Sequence, residues 1–388
     1  MSAKYVILGS GMQGTAAAYD LSKFADAASI TLLDANIEQA KKAADRVNKL
    51  VGRESCTYGQ VDALNPDSLS AAIADADVLL SCVPYWMHPQ IAKVAIANGT
   101  HMLDLGGNTE VTRETLAMDE AAKAAGVTLV PDCGLAPGLV NSLGMSLIEQ
   151  LDTTETIRLY CGVLPQNPVP PLNYKTTFNT EGLITEYDYQ AVVLRENEIK
   201  LIPTLSELEE LHIEELGKME AFVTSGGTSM APYSVQGKVT NYEYKTIRFP
   251  GHCYAMRLYK DFGLWREDEI EVKGVKVRPK DVFCKVFGEE LGKIKDLDLC
   301  AIRALGFGTL GGAKIKLQID ILDKQCEETG FTSMERLTGF SLAIYAIEVA
   351  EGRMEPGALR YELAMKGQRF VDLIQQRGVH LKFSQEML

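Results

Sequence analysis

Residues 6–15 read VILGSGMQGT, an apolar run ending in Gly9, then Gly11 and Gly14, with the small-residue stretch TAAAYDL behind it. Glycines spaced G-x-G-x-x-G between a strand and a helix suit a turn in which backbone approaches a pyrophosphate. The first allows the turn, the second the approach, and the third close helix–strand packing. Met12 and Gln13 fall in the first turn of the helix, whose free N–H groups and dipole favour phosphate. The spacing alone also fits an ordinary tight turn. Asp34, twenty residues beyond Gly14, weighs against that reading, because a carboxylate at the end of a second strand can accept the ribose hydroxyls. It would also repel a 2′-phosphate, and Ala35 and Asn36 supply no arginine in compensation, so NAD is expected over NADP.

Outward from this stretch, strand and helix patterns alternate over the first 130 residues. YVILG (5–9), ASITLLD (28–34), CTYGQVD (56–62), DVLLSCVP (77–84), THMLDLGG (100–107) and VTLVPDCG (127–134) are the strands. Helical patterns lie between them, with Asn36 and Asn65-Pro66 as starts and Gly99 and Gly126 as stops. Continuous apolar strands alternating with helices predict a Rossmann-like, doubly wound parallel sheet. Asp62, ending the third strand, reaches the adenine edge or caps a loop. Cys82, Val83 and Pro84 end the fourth strand and Gly106-Gly107-Asn108 the fifth, at the face where a nicotinamide half should lie. Asn108 is therefore also a substrate-binding candidate.

Past residue 135 one helix (LVNSLGMSLIEQL) precedes period-2 segments: TIRLYCGVL, LNYKTTFN, LITEYDYQAVVL, TNYEYKTIRF, LCAIRALGF and AKIKLQIDIL. Alternation predicts a mainly antiparallel sheet with one face buried, the other covered by helices or by a second subunit. From about Ser333 the pattern is helical again, through the EPGALRYELAM stretch. The expected organisation is a nucleotide domain over 1–135, completed by helices of 333–388. An α+β substrate-binding and dimerisation domain is inserted over 136–332, which makes a homodimer or higher homo-oligomer the expected assembly.

Composition narrows the partners. The 388 residues carry a net charge of −13, which disfavours nucleic acid. No apolar run has membrane-spanning length, and no h-region precedes the first strand. Eight scattered cysteines without a CxxC pair suggest neither a disulfide framework nor a metal site, so a reducing cytoplasm is the expected setting.

Several longer stretches resemble one family. LDLGGNTEVTRETLAMDEAAKAAGVTLVPDCGLAPGLVNSL, CGVLPQNPVPPLNYK, TSGGTS and YKTIRFPGH look like the saccharopine reductase family, most of all its single-substrate L-lysine 6-dehydrogenase branch. The resemblance implies a split nucleotide domain with an inserted substrate and dimerisation domain. It also implies NAD-dependent oxidation of the lysine ε-amine to 2-aminoadipate 6-semialdehyde and ammonia. Saccharopine-forming members carry GLDPG where this chain has GLAPG, with Ala136, and a bulkier segment at Gly106-Gly107-Asn108. Val163 in CGVLPQ stands where glycine is expected.

Amine oxidation needs a base to free the amine and later to activate water. Asp132 is the first candidate, unless it only caps the helix after Gly138. Cys133 is a nucleophile for an aldehyde or a buried structural thiol. Lys175, Lys245 and Arg248 are candidates for binding a substrate carboxylate, with solvated strand charges as the alternative. His252 shuttles a proton or simply begins a helix. Ser225 and Thr228, in SGGTS, offer an anion nest or a turn. Saccharopine oxidation, a cysteine-dependent aldehyde dehydrogenase and a non-catalytic NAD-binding protein are the competing functions.

Overall fold

The computed structural model describes residues 2–177 and 180–388. Six strands open the chain: β1 (Ala3–Leu8), β2 (Ala27–Asp34), β3 (Cys56–Gln60), β4 (Val78–Ser81), β5 (His101–Asp104) and β6 (Thr128–Val130). They form one parallel sheet in the order β3-β2-β1-β4-β5-β6, so the connection reverses direction beside β1. Helices cover both faces, which is why all four residues of β4 are buried and apolar alternation is absent. The expected punctuation holds. Asn36 and Asn65 side chains accept first-turn amides, and Gly99 and Gly126 end helices in the left-handed conformation.

Helix 139–150 leads out of this sheet and is buried over Leu139–Leu147. Its buried polar residues are paired: Asn141 Oδ1 accepts the Tyr242 hydroxyl, and the Ser142 hydroxyl donates to Tyr361. A Cβ on Gly144 would meet the Tyr242 hydroxyl at 3.0 Å, and a Cβ on Gly367 would press into the helix backbone at Ser146.

The second sheet is built from β7 (Thr153–Pro165), β8 (Gln190–Arg195), β9 (Glu198–Pro203), β10 (Glu209–Ile213), β11 (Gly217–Phe222) and β12 (Asn241–Arg248). After a small separate hairpin, β13 (Ile270–Val272) and β14 (Val275–Val277), come β15 (Asp298–Leu310) and β16 (Ala313–Lys324). Its main order is β10-β11-β12-β7-β15-β16, antiparallel except for β7 beside β12, with the β8–β9 hairpin attached at β12.

The chain then returns to the first sheet. Helix 333–350 lies against helix 12–24, where a Cβ on Gly339 would be 2.7 Å from the Ala16 methyl and 2.9 Å from the Gln13 carbonyl. Only glycine permits that approach. β17 (Gly357–Ala358) extends the parallel sheet beside β6.

Three local expectations change. EPGALR supplies β17 before a short helix, and the chain ends not in helix but in β18 (Leu381–Met387), paired with β16 of the second sheet. LITEYDY is the end of a helix, Thr180–Asp188, in which Leu183, Ile184 and Tyr187 are buried at helical spacing. In LNYKTTFN, residues 172–177 form no strand, and Phe178 and Asn179 lie outside the described residues.

Candidate functional site

At the C-terminal edge of the first sheet the three fingerprint glycines have different reasons. A Cβ on Gly9 (φ +94°) would sit 2.7 Å from the Cys82 carbonyl and close to the Val83 side chain, and one on Gly14 would collide with the Gly9 carbonyl. Gly11 has an ordinary φ of −74° and open space where its Cβ would be. Packing demands the first and third glycines, and the second leaves a gap at a helix N-terminus. No side chain caps that terminus and no acidic residue occupies the first turn. Met12 is 49% exposed there, while Gln13 Oε1 is buried without a hydrogen-bond partner. An uncapped helix N-terminus with open space before it suits a phosphate group, and the gap is termed the cradle.

Asp34 closes the cradle. Its Oδ2 accepts the Ser10 amide at 2.8 Å and its Oδ1 the Asn36 amide at 2.9 Å, which fixes the carboxylate while each oxygen keeps a lone pair. Asp62 is a loop carboxylate that accepts the Leu64 amide. Cys82 is held by its amide on the Leu8 carbonyl, and burial, with Asp104 nearby, pushes its thiol up to about 12. Pro84 opens a short turn over Tyr85–Met87, and Gly107 lies against the Tyr85 ring. Asn108 caps helix 109–116, its Oδ1 accepting the amides of Glu110 and Val111.

Beside the cradle two carboxylates meet at the ends of β5 and β6. Asp104 Oδ1 accepts the amides of Gly106 (2.7 Å) and Asp132 (3.2 Å), and lies 3.9 Å from His88 Nε2. Asp132 adopts φ +69° and is 4% exposed, with Oδ1 accepting the Thr112 hydroxyl at 2.9 Å. It does not cap helix 139–150. Burial above all, and then the Asp104 charge, push its carboxyl up to about 7, with Glu362 adding to the rise and Ser229 and Thr112 opposing it. The Ser229 hydroxyl is near enough to act on Asp132 yet completes no hydrogen bond of its own.

Ser229 ends the SGGTS loop, which crosses to the second sheet. The Ser225 amide bonds the Glu186 carbonyl, and Gly227 is pressed so closely on Tyr244 that a Cβ would enter the ring. Tyr244 and Arg248 alternate with Thr246 on one face of β12. Arg248 is 3% exposed; its Nε donates to Tyr187 Oη at 2.9 Å and its Nη1 to the Ile247 carbonyl, with the Tyr174 ring 5.0 Å away. Its side-chain hydrogen bonds run through Nε and Nη1, and among the described residues neither an Nη2 bond nor an ion pair adds to them.

Other expected residues have structural duties. Lys245 is on the opposite face of β12 from Arg248 and is bound by the Glu207 carbonyl and Glu209. Lys175 donates to the Asp296 carbonyl. Cys133 is fully buried, its thiol pushed well above its usual range by burial and aimed at the Val130 carbonyl. His252 begins helix 252–261; burial, and then Arg248, lower its pKa to about 3, so it is neutral between Tyr187 and the Leu172 carbonyl. The hydroxyls of Ser225 and Thr228 bond backbone carbonyls. Sequence reasoning missed Asp104, Thr112, Tyr174 and Tyr187. Only Asp104 carried a signal, as an acid at a strand end beside paired glycines. No His/Cys/Asp/Glu cluster suited to a metal occurs among the described residues, and none of their helices is long and apolar enough to cross a membrane.

Comparison with known proteins points to one family. The saccharopine dehydrogenase NADP-binding domain family matches residues 5–130, and the saccharopine dehydrogenase C-terminal domain family matches residues 134–379. A relative is saccharopine dehydrogenase [NADP(+), L-glutamate-forming] of Pyricularia oryzae, 25% identical over 62% of this chain and 53% of its own length. Another is the mitochondrial alpha-aminoadipic semialdehyde synthase of Bos taurus, 24% identical over 65% of this chain but 28% of its own length. The matches thus span about half or less of these relatives. The fold matches apo saccharopine dehydrogenase (L-Glu forming) from Saccharomyces cerevisiae with a TM-score of 0.80, at 17% identity, over 99% of this chain and 100% of that one. The chain belongs to the saccharopine dehydrogenase family.

Proposed function

We propose that the chain catalyses oxidative deamination of the L-lysine ε-amine with NAD. The observation that carries the reading is Asp132: a buried carboxyl with no cation paired to it, pushed up to about 7, beside an open dinucleotide cradle. A base with that pKa takes a proton readily near neutrality.

Gly9, Gly11, Gly14 and the first-turn amides hold the cofactor phosphates, and Asp34 holds the adenosine ribose. A nicotinamide held there would supply the hydride acceptor for the carbon that bears the amine. Asp132 first removes a proton from the ε-ammonium, so that the nitrogen lone pair can assist loss of the hydride. Asp132 gives that proton to solvent, takes one from the water that adds to the C=N bond and returns it to the amine nitrogen of the carbinolamine; ammonia then leaves as the hydroxyl loses its proton and becomes the aldehyde oxygen. Arg248, fixed by Tyr187 and the Ile247 carbonyl, binds the substrate carboxylate through its open Nη2.

Asp34 supports NAD, since no basic residue stands at positions 35–40 to receive a 2′-phosphate. The Pyricularia oryzae relative is named for NADP(+), so this preference rests on the chain's own residues. The proposal includes a cytoplasmic homodimer. Eight free thiols suit a reducing compartment, and the second sheet leaves β18 as a strand on its edge.

A second reading is saccharopine oxidation, favoured by the relatives' names. Arg113, stacked over Tyr233 at 4.6 Å on the helix that supplies Thr112, would serve the extra carboxylates. Incubation with NAD and either lysine or saccharopine, followed for NADH and ammonia, separates the two. Ammonia and NADH in equal amounts from lysine support deamination, and NADH from saccharopine alone overturns it.

A further inference from the structure

Arg248 ends a buried relay of hydrogen bonds that has a fixed direction. Its Nε–H donates to Tyr187 Oη at 2.9 Å, and that oxygen lies 3.2 Å from His252 Nε2. His252 Nδ1 faces the Leu172 carbonyl at 3.4 Å. A carbonyl only accepts, so the ring hydrogen sits on Nδ1 and Nε2 is left as an acceptor. The imidazole is neutral, since burial and then Arg248 lower its pKa to about 3. Tyr187 therefore gives its hydroxyl hydrogen to His252 and turns its lone pairs towards Arg248. All three side chains are buried, so each must find its partner inside the protein. Among the described residues Tyr187 Oη has only these two.

We infer that His252 is a positioning residue, which acts through the Tyr187 hydroxyl to aim the Arg248 guanidinium at the substrate carboxylate. The inference rests on the reading of Arg248 as the carboxylate-binding group, and it names what holds that group in place. Three elements meet in the relay: helix 180–188 brings Tyr187, β12 brings Arg248, and helix 252–261 begins with His252. The last of these grips Tyr187 at both ends. Lys260 Nζ donates to the Tyr187 carbonyl at 3.2 Å, and Thr204 Oγ1 donates to the same oxygen at 2.6 Å. The His252 ring is set in turn by Phe222, nearly parallel with centroids 6.4 Å apart, and by Tyr174, edge-on at 5.1 Å. Without an acceptor at Nε2 the phenol hydrogen would be buried and unpaired. Turned the other way it would meet the Arg248 Nε–H, and two like hydrogens would push the guanidinium off Tyr187. A histidine that merely filled the aromatic cluster would be replaced best by phenylalanine. The relay needs a lone pair, so glutamine serves it better.

The experiment uses L-norleucine, which carries the α-carboxylate but no ε-amine, so it does not depend on turnover. Its binding to the full chain with NAD is measured by calorimetry. His252→Gln, whose amide oxygen stands as many bonds from Cα as Nε2, should stay within about 3-fold of the wild type, whereas His252→Phe and Tyr187→Phe should each weaken binding about 10-fold, the scale of one hydrogen bond. The double variant should bind no more weakly than either single one, because both changes break the same relay. NAD affinity should be unchanged throughout, which reports an intact fold. Should His252→Phe not fold, Tyr187→Phe set against His252→Gln carries the same comparison. No binding to the wild type, His252→Phe or Tyr187→Phe as tight as the wild type, His252→Gln weaker than His252→Phe, or additive losses in the double variant would each overturn the inference. Failure of the deamination reading looks different: norleucine affinities follow the expected order, yet lysine gives no NADH.

Discussion

Asp104 Oδ1 accepts the backbone amide of Asp132 at 3.2 Å, so a carboxylate at the end of one strand fixes the backbone of the acid that ends the next. The same oxygen accepts the Gly106 amide, and a Cβ on Gly106 would meet Asp132 Oδ1 at 2.3 Å. Asp132 is thus held at φ +69° against a glycine that leaves it room, in a conformation that a non-glycine residue keeps only where its surroundings impose it. The groups facing it are Asp104, Thr112, Ser229 and, farther off, Glu362.

From this arrangement the activity should rise with pH through about 7, because the base must be ionised and burial with Asp104 holds its proton up to that value. Asp132→Asn should lower kcat about 100-fold or more and leave NAD affinity nearly unchanged. Stability should move the other way. The folded carboxyl keeps its proton up to about 7, whereas the unfolded one loses it near 3.8, so the fold loses stability as pH rises between those values. Asparagine never ionises, so the variant should have a higher Tm than the wild type at pH 8 and the gap should shrink towards pH 4. Rate profiles and thermal melts at matched pH check both halves. An unaltered kcat would remove Asp132 from the chemistry.

Asp34 should decide the cofactor. Its carboxylate is pinned by the Ser10 and Asn36 amides and cannot swing away from a 2′-phosphate. The double change Asp34→Ser and Ala35→Arg should raise kcat/KM with NADP relative to NAD by about 100-fold, the scale of a charge repulsion replaced by a guanidinium contact. Steady-state rates with both cofactors test this. A wild type that uses both equally would refute the ribose assignment.

Much of the first domain was legible because its signals are local. A glycine spacing, an acid at a strand end and Asn or Gly at helix ends each act through residues a few positions apart. The second domain was less so. LITEYDY alternates like a strand, but Leu183, Ile184 and Tyr187 pack into a small separate core with Leu172, Tyr174 and Trp265, and that tertiary burial sets the helix. Lys245 and Arg248 look alike in YKTIRF. They fall on opposite faces of β12, because neighbours three apart in a strand diverge.

Cys133 should be dispensable for chemistry. Its thiol is fully buried against the Val130 carbonyl, and burial with Asp104 and Asp132 nearby disfavours the thiolate. Cys133→Ala should retain most of kcat and cost about 1–2 kcal/mol of stability from the small cavity left behind. Loss of activity without loss of fold, seen by rate assay and circular dichroism, would restore the aldehyde-dehydrogenase reading.

Arg248 offers the sharpest division between binding and chemistry. Its orientation is imposed by three contacts: Nε on Tyr187 Oη at 2.9 Å, Nη1 on the Ile247 carbonyl at 2.9 Å, and the Tyr174 ring 5.0 Å from the guanidinium carbon. Tyr187 is itself tied to the neutral His252, so the chain of contacts ends on a group that does not change charge near neutrality. Arg248→Lys keeps the positive charge but gives up the planar fork, and an ammonium cannot hold Tyr187, Ile247 and a carboxylate in one plane. The substitution should raise KM for the amino acid about 10- to 100-fold while kcat falls less, because the lost contact is made equally in the ground and transition states. Arg248→Met, which keeps an unbranched apolar stem and loses the charge, should raise KM further. NAD affinity should be unaffected in both variants, since the cradle at Gly9–Gly14 lies on the other sheet. Initial rates over a range of lysine concentrations, with NAD binding measured separately, decide the matter. A fall in kcat at unchanged KM would place Arg248 at the reacting end of the substrate instead of at its carboxylate.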